Sequence, residues 1–278
     1  MIKKLINLNL KGTNNKKHII FIVIVAISIT DIKLNILSFP HSKNFCIGDI
    51  AIFVFGGLDK NFNLVNDFST FLVWSVQTIL IIYLTDICIN DTVKRRATLV
   101  LPRVRSKAKW FIAFNVANVV VIIKYYLVLY VSCLGTIFVK MGPKAFKNID
   151  VLVNEYNYLG NSFNQYELLM YMFIMNILTI ISLMLLMNNL YYIFWNSEIA
   201  SVMGILICFF SVLFTKNTFI NKFSLLNHGM LRRHNIFRNG FDGFSIKFSM
   251  VYLILFIVIN FIIGMIIIKK RDTDRICG

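Results

Sequence analysis

The chain has 278 residues; 58% are hydrophobic and 15% charged, with 29 Lys and Arg against 13 Asp and Glu. A mean hydropathy of +0.71 excludes a water-exposed surface for a chain of this size, so its solvent is lipid. The basic excess lies mostly between apolar runs, with no soluble module to carry it, which suits an anionic membrane surface and argues against a nucleic-acid partner.

The N-terminal lead places Ile2, Leu5, Ile6 and Leu8 among lysines, the pattern of an amphipathic segment lying along a membrane face. No small-residue cleavage site follows, so the next apolar run is read as a retained first helix. A span needs about 20 apolar residues, and six runs meet or approach that length: 19–37, 68–89, 111–139, 168–195, 199–215 and 250–268. The fold expected is all-α, one transmembrane domain over 1–278 with about six helices. The fifth run is the shortest, and the brief connection before it predicts a tight hairpin with the fourth. Two apolar pieces, Ile50–Phe55 and Phe223–Leu226, are too short to cross and are expected to dip into the membrane interface or pack over the bundle.

Basic residues in the connections set the orientation. With the N-terminus inside, inner segments carry five, seven, none and four Lys and Arg, and outer ones two, three and six. Both termini are therefore expected in the cytoplasm, with the chain a multi-pass protein of a bacterial plasma membrane. The last outer loop, 216–249, runs against the rule. There His228, Arg232, Arg233 and His234 form a candidate contact for phospholipid headgroups or an anionic substrate.

Lys124 falls near the middle of the third span, where a lone ammonium is costly. Asp31 is 13 residues beyond His18 and Lys124 14 beyond Trp110, so counting from the inner span ends puts both at about 20 Å and makes them a candidate intramembrane pair. Asp86 shares a helical side with Ser75, Thr78 and Thr85; Asn176, Thr179 and Ser182 recur in span four, and Asn260 with Gly264 in span six. Hydrogen bonds between helices are the expected use of these residues. Trp74, Trp110, Tyr191, Tyr192 and Trp195 sit at span ends and are expected to anchor at the membrane interface. The five cysteines, Cys46, Cys88, Cys133, Cys208 and Cys277, form no CxxC or Cys/His cluster, so no disulfide framework, metal site or cofactor is expected.

The inner connection at 90–110 reads NDTVKRRATLVLPRVRSKAKW, a basic, partly amphipathic piece held between two membrane helices. On charge alone it is a topogenic loop. Together with GDIAIFVFGG ahead of span two, LVWSVQTILIIY within it, and RRATLVLPRVRSKAKWF after it, the chain resembles the membrane subunit of a type-2 ABC exporter. The resemblance is to the small permeases found in low-GC Gram-positive bacteria beside peptide-antibiotic genes. In such permeases a basic Arg-x-x-Ser-(x)n-Trp element precedes the third span, and Arg103, Arg105, Ser106 and Trp110 occupy it here.

That resemblance implies six helices per subunit, a homodimer or a heterodimer with a related permease, and a separate cytoplasmic ABC ATPase. The 90–110 segment would then be the coupling helix, with Arg95, Arg96, Arg103, Arg105, Ser106 and Trp110 as candidate contacts. Independently, the sequence holds no GxxxxGK[ST], so any ATP energy arrives from another chain. It also lacks HExxH and GxSxG, and no enzymatic activity is expected. Export or expulsion of a peptide or other amphiphile is the leading expectation. The alternative is a non-transporting immunity or sensory protein that binds a peptide through its outer loops.

Overall fold

The computed structural model describes residues 2–13, 16–38, 47–59, 62–63, 65, 67–94, 97, 100, 104, 106–143, 165–213, 218–235 and 243–270. Nine α-helices carry the description. They are α1 (Ile2–Thr13), α2 (Lys16–Ser38), α3 (Ile47–Phe55), α4 (Phe68–Ile89), α5 (Lys107–Met141), α6 (Gln165–Phe194), α7 (Ser197–Leu213), α8 (Thr218–Phe223) and α9 (Ile246–Lys270). A π-turn, Asn90–Lys94, continues α4, and two 3-10 turns, Leu225–Gly229 and Leu231–Arg233, follow α8. Among the described residues no strand forms; one isolated bridge joins His234 to Phe244. The fold is all-α, as composition predicts.

Among the described residues five helices are long and apolar enough to cross a membrane, and Ser197–Val212 is a shorter apolar helix. The chain is a multi-pass membrane protein. The helix α4 keeps the bounds expected of it, whereas α5 runs for 35 residues, about 52 Å at 1.5 Å per residue. The hairpin between α6 and α7 is as tight as expected: Trp195 takes a positive φ of 56°, and Asn196 Oδ1 accepts from the Glu198 and Ile199 amides to cap α7.

The bundle is organised about α6, which packs against α3, α4, α5, α7, α9 and the first 3-10 turn. The helix α9 shows why lipid is the solvent. Its buried stripe is Ser249, Leu253, Asn260, Gly264 and Ile268, while Val251, Ile254, Leu255, Val258 and Ile262 face outward. Large apolar groups outside and small or polar groups inside reverse the soluble arrangement, and close backbone approach is what the small residues permit. A Cβ at Gly264 would lie 2.7 Å from Phe111 Cζ, so a side chain there would force α9 away from α5 and α6.

The ends of the bundle differ. At the basal end, α1 lies along α5, with Leu5 packed into the cluster around Trp110 and Leu10 into the main core. At the distal end, α3 is inserted into the main core, where Ile47, Ile50 and Ala51 are fully buried. Leu225 and Leu226 pack beside Met175, Leu183 and Leu253. Both short apolar pieces therefore pack into the bundle.

Candidate functional site

At the basal end, the connection from α4 to α5 is seated on an aromatic cluster. Val93 and Ala97 are fully buried and Val104 nearly so, with Val100 partly buried beside them. Spacings of four, three and four residues place them on one helical stripe. They rest on Trp110, Phe111, Phe114, Tyr191 and Tyr192. Ser106 caps α5 by accepting from the Lys109 amide at 3.4 Å. Trp110 is 1% exposed, stacked on Phe114 with centroids 5.7 Å apart and edge-on to Tyr192 at 6.5 Å.

Burial corrects two expectations. Trp110 anchors the segment from within and offers a partner no surface, and Tyr191 and Tyr192, 4% and 0% exposed, belong to the core rather than to an interfacial belt. The other four candidate contacts, Arg95, Arg96, Arg103 and Arg105, lie outside the described residues. In sequence they occupy positions between the buried ones.

At the distal end the candidate outer contact becomes a buried cap. His228 and His234 are 0% exposed and Arg233 1%. The two imidazoles converge on one hydroxyl: His228 Nδ1 and His234 Nε2 each lie 2.9 Å from Ser249 Oγ. Their other nitrogens face the carbonyls of Lys222 at 2.9 Å and Met230 at 3.1 Å, so each N–H is committed there. Both remaining nitrogens are then acceptors, and they share a single hydroxyl proton. Burial pushes each imidazole down to about 4, so both are neutral at pH 7.

Arg233 ties three segments together, donating to Leu58 O at 3.2 Å, Ser211 O at 3.4 Å and Asn221 Oδ1 at 2.9 Å. Burial lowers its guanidinium to about 9, with the Asp59 carboxylate acting in the other direction, and it stays cationic at neutral pH. Arg232 lies over the Phe53 ring, 4.7 Å from the centroid, and its amide donates to Gly56 O at 3.0 Å. The basic loop that ran against the charge rule thus uses these two arginines to fasten the cap.

The expected pair of Asp31 with Lys124 is replaced. Asp31 pairs with Lys140, at the distal end of α5. Cys133 Sγ meets Ala26 O at 3.6 Å, which fixes α2 and α5 in a parallel register with numbers offset by 107. Lys124 is therefore level with Lys17, not with Asp31. Counting from the inner ends failed because α5 extends further basally than α2 does. Lys33 is 2% exposed and donates to Thr70 Oγ1 at 2.8 Å.

Several hydrogen bonds between helices are made by side-chain amides. Asn188 donates to Asn115 at 2.9 Å, Asn189 to Asn260 O at 2.8 Å, Asn176 to Phe55 O at 3.3 Å and Gln77 to Val54 O at 2.8 Å. Thr78, Thr85, Thr179 and Ser182 instead bond the carbonyls four residues back in their own helices. Asp86 accepts from Asn90 at 2.9 Å and from Ser201 at 3.4 Å. Among the described residues no group of His, Cys, Asp and Glu could hold a metal, and Cys88, Cys133 and Cys208 are free and buried.

The sequence pattern of one protein family, described as a protein of unknown function (DUF2705), matches residues 19–273. The chain belongs to the DUF2705 family. No curated protein and no solved structure matches it. The match takes in the distal cap, the basal connection and all six apolar spans, so the features described above lie within the DUF2705 region; α1 precedes it.

Proposed function

We propose that this DUF2705 chain is the permease subunit of an ATP-driven ABC exporter that moves or expels a peptide or other amphiphile across a bacterial plasma membrane. The observation that carries the reading is the seating of the α4–α5 connection. Val93, Ala97 and Val104 lock its apolar stripe onto the aromatic base of α5 and α6, while Arg95, Arg96, Arg103 and Arg105 intervene in sequence. A segment held rigidly on one side and basic elsewhere is suited to transmit force from a soluble partner into two membrane helices. The chain brings no P-loop, so that partner supplies nucleotide hydrolysis. Positive-inside bias puts this basal end in the cytoplasm, and a second copy or a related permease completes the transporter.

The alternative, an immunity or sensory protein that captures a peptide through its outer loops, loses its main candidate contact, because His228, Arg233 and His234 are interior. Affinity purification of the tagged chain from its native membrane, followed by ATPase assay and mass spectrometry, tests the proposal. An ATPase subunit should co-purify, and its recovery should drop at least tenfold in an Arg103→Glu, Arg105→Glu variant that still inserts and melts like the parent. Recovery of the chain without any ATPase would sink the reading.

A further inference from the structure

The helix α3 ends inside the bundle, where its last carbonyls have no partner within the helix. Side chains and a loop amide meet them instead: Gln77 donates to Val54 O at 2.8 Å, Asn176 to Phe55 O at 3.3 Å and the Arg232 amide to Gly56 O at 3.0 Å. Beside this junction lies a chamber of about 40 Å³, walled by α3, α4, α5, α6 and the first 3-10 turn. Its polar lining is Gln77, Thr78, Tyr126, Asn176 and Thr179. Gly229 brings the 3-10 turn hard against it; a Cβ there would lie 2.6 Å from Thr179 Oγ1.

The hydrogen bonds around the chamber do not balance. The Thr78 and Thr179 hydroxyl protons go to Trp74 O and Met175 O, each at 2.9 Å, and the Gln77 and Asn176 amides each have an N–H on α3. The oxygens of all four side chains remain able to accept. Tyr126 has the opposite need. It is 5% exposed, and its hydroxyl stands beside the Asn176 side chain without the geometry of a hydrogen bond; no other described residue bonds it either. A phenol proton left unbonded inside a membrane bundle is costly.

Size and charge define the ligand. A buried water needs about 10–15 Å³ of such space and two to four polar partners, so the chamber admits about two. It is too small for an acyl chain. No charged side chain among the described residues lines it, so an ion would stand there unpaired in a low-dielectric site. Water accepts from one partner while donating to two others, which is the complement of one orphaned donor among several acceptors. We infer that this chamber is a water-binding site, whose ordered waters accept from Tyr126 and donate among the oxygens of Gln77, Thr78, Asn176 and Thr179. The bridge joins α5 to α4 and α6 through bonds that can break and re-form without stranding a buried group.

X-ray radiolytic footprinting of the full chain in lipid nanodiscs tests the site, because hydroxyl radicals made from a bound water oxidise the side chains beside it however buried they are. Tyr125, the neighbour on α5, is the internal control: it is 3% exposed and does not line the chamber. Tyr126 should be oxidised about tenfold faster than Tyr125, since a polar cavity of this size holds water and an apolar interior stays dry. Thr78→Leu fills the chamber and removes one acceptor, and should bring Tyr126 down to the rate of Tyr125. Leu183→Phe fills it from α6 and should do the same, should the first variant fail to insert. Equal rates for Tyr125 and Tyr126 in the parent would mean that the phenol bonds Asn176 directly or that the chamber is dry, and would overturn the inference. So would fast oxidation of Tyr126 that survives in a filled variant melting like the parent.

Discussion

The two ends of the bundle handle positive charge in opposite ways. At the basal end apolar and aromatic side chains form the seat, and the basic residues of the connection fall between the positions that pack. At the distal end a guanidinium is itself the fastening, held by backbone carbonyls and an amide, and two neutral imidazoles fill the space beside it. The first arrangement leaves the basic positions out of the packed stripe in sequence. The second consumes charge to close a lid over helices that would otherwise end in unsatisfied carbonyls.

The contrast is sharpest in truncations. Trp110→Ala removes the ring on which the basal seat rests and should cost about 3–5 kcal/mol, read as a large fall in the detergent melting temperature, with Trp110→Phe recovering most of it. Arg233→Ala removes the donor to the Leu58 and Ser211 carbonyls and one of two donors to Asn221 Oδ1 and should cost about 3 kcal/mol. Arg233→Lys should recover little, since one ammonium cannot span Leu58, Ser211 and Asn221 in the same fixed directions. If Arg233→Ala melts like the parent, the cap is not fastened as described.

Acid should separate the ends. An unfolded histidine takes up its proton near pH 6.5, whereas His228 and His234 are held down to about 4 by burial. Between those values the folded chain binds fewer protons than the unfolded chain, so stability falls as pH falls, by up to about 1.4 kcal/mol per pH unit for each histidine. Hydrogen exchange at 225–235 should therefore quicken between pH 6.5 and 4.5, while exchange at 107–115 keeps only its intrinsic pH dependence. His228→Asn with His234→Asn should flatten the distal response; an unchanged response would assign it elsewhere.

The smallest effect belongs to Asp31 and Lys140, whose side chains are 40% and 42% exposed. Breaking so accessible a pair should cost about 1 kcal/mol or less. Reversing both charges should restore what Asp31→Lys loses, and combining Asp31→Lys with Lys124→Asp should not. Rescue by Lys124→Asp instead would mean that α2 and α5 adopt a different register.

Hydropathy made the spans legible, since a run that must cross about 30 Å of hydrocarbon announces its own length. It fixed both ends of α4 and the tight α6–α7 hairpin. It could not fix which turn of α5 stands level with which turn of α2, because the inner ends of two spans need not lie at one height, and the partner expected for Asp31 was wrong for that reason. Nor does sequence distinguish an arginine in water from one folded under a lid: Arg232 and Arg233 are neighbours, yet one lies on a ring and the other is enclosed. The interhelical amides were half legible. Asn176 and Asn260 stood out by their spacing, whereas Asn115, Asn188 and Asn189 sit among apolar residues and are recognised only once the helices face each other.

The unbroken run of α5 has a mechanical consequence. Its foot is clamped by Trp110 in the aromatic seat and its tip by Lys140 against α2, and no proline interrupts the 35 residues between Lys107 and Met141. A rod of about 52 Å pivoting by about 10° about its foot would swing its tip by about 9 Å. A small thrust at the base would therefore become a displacement, at the far rim, comparable to the spacing between packed helices.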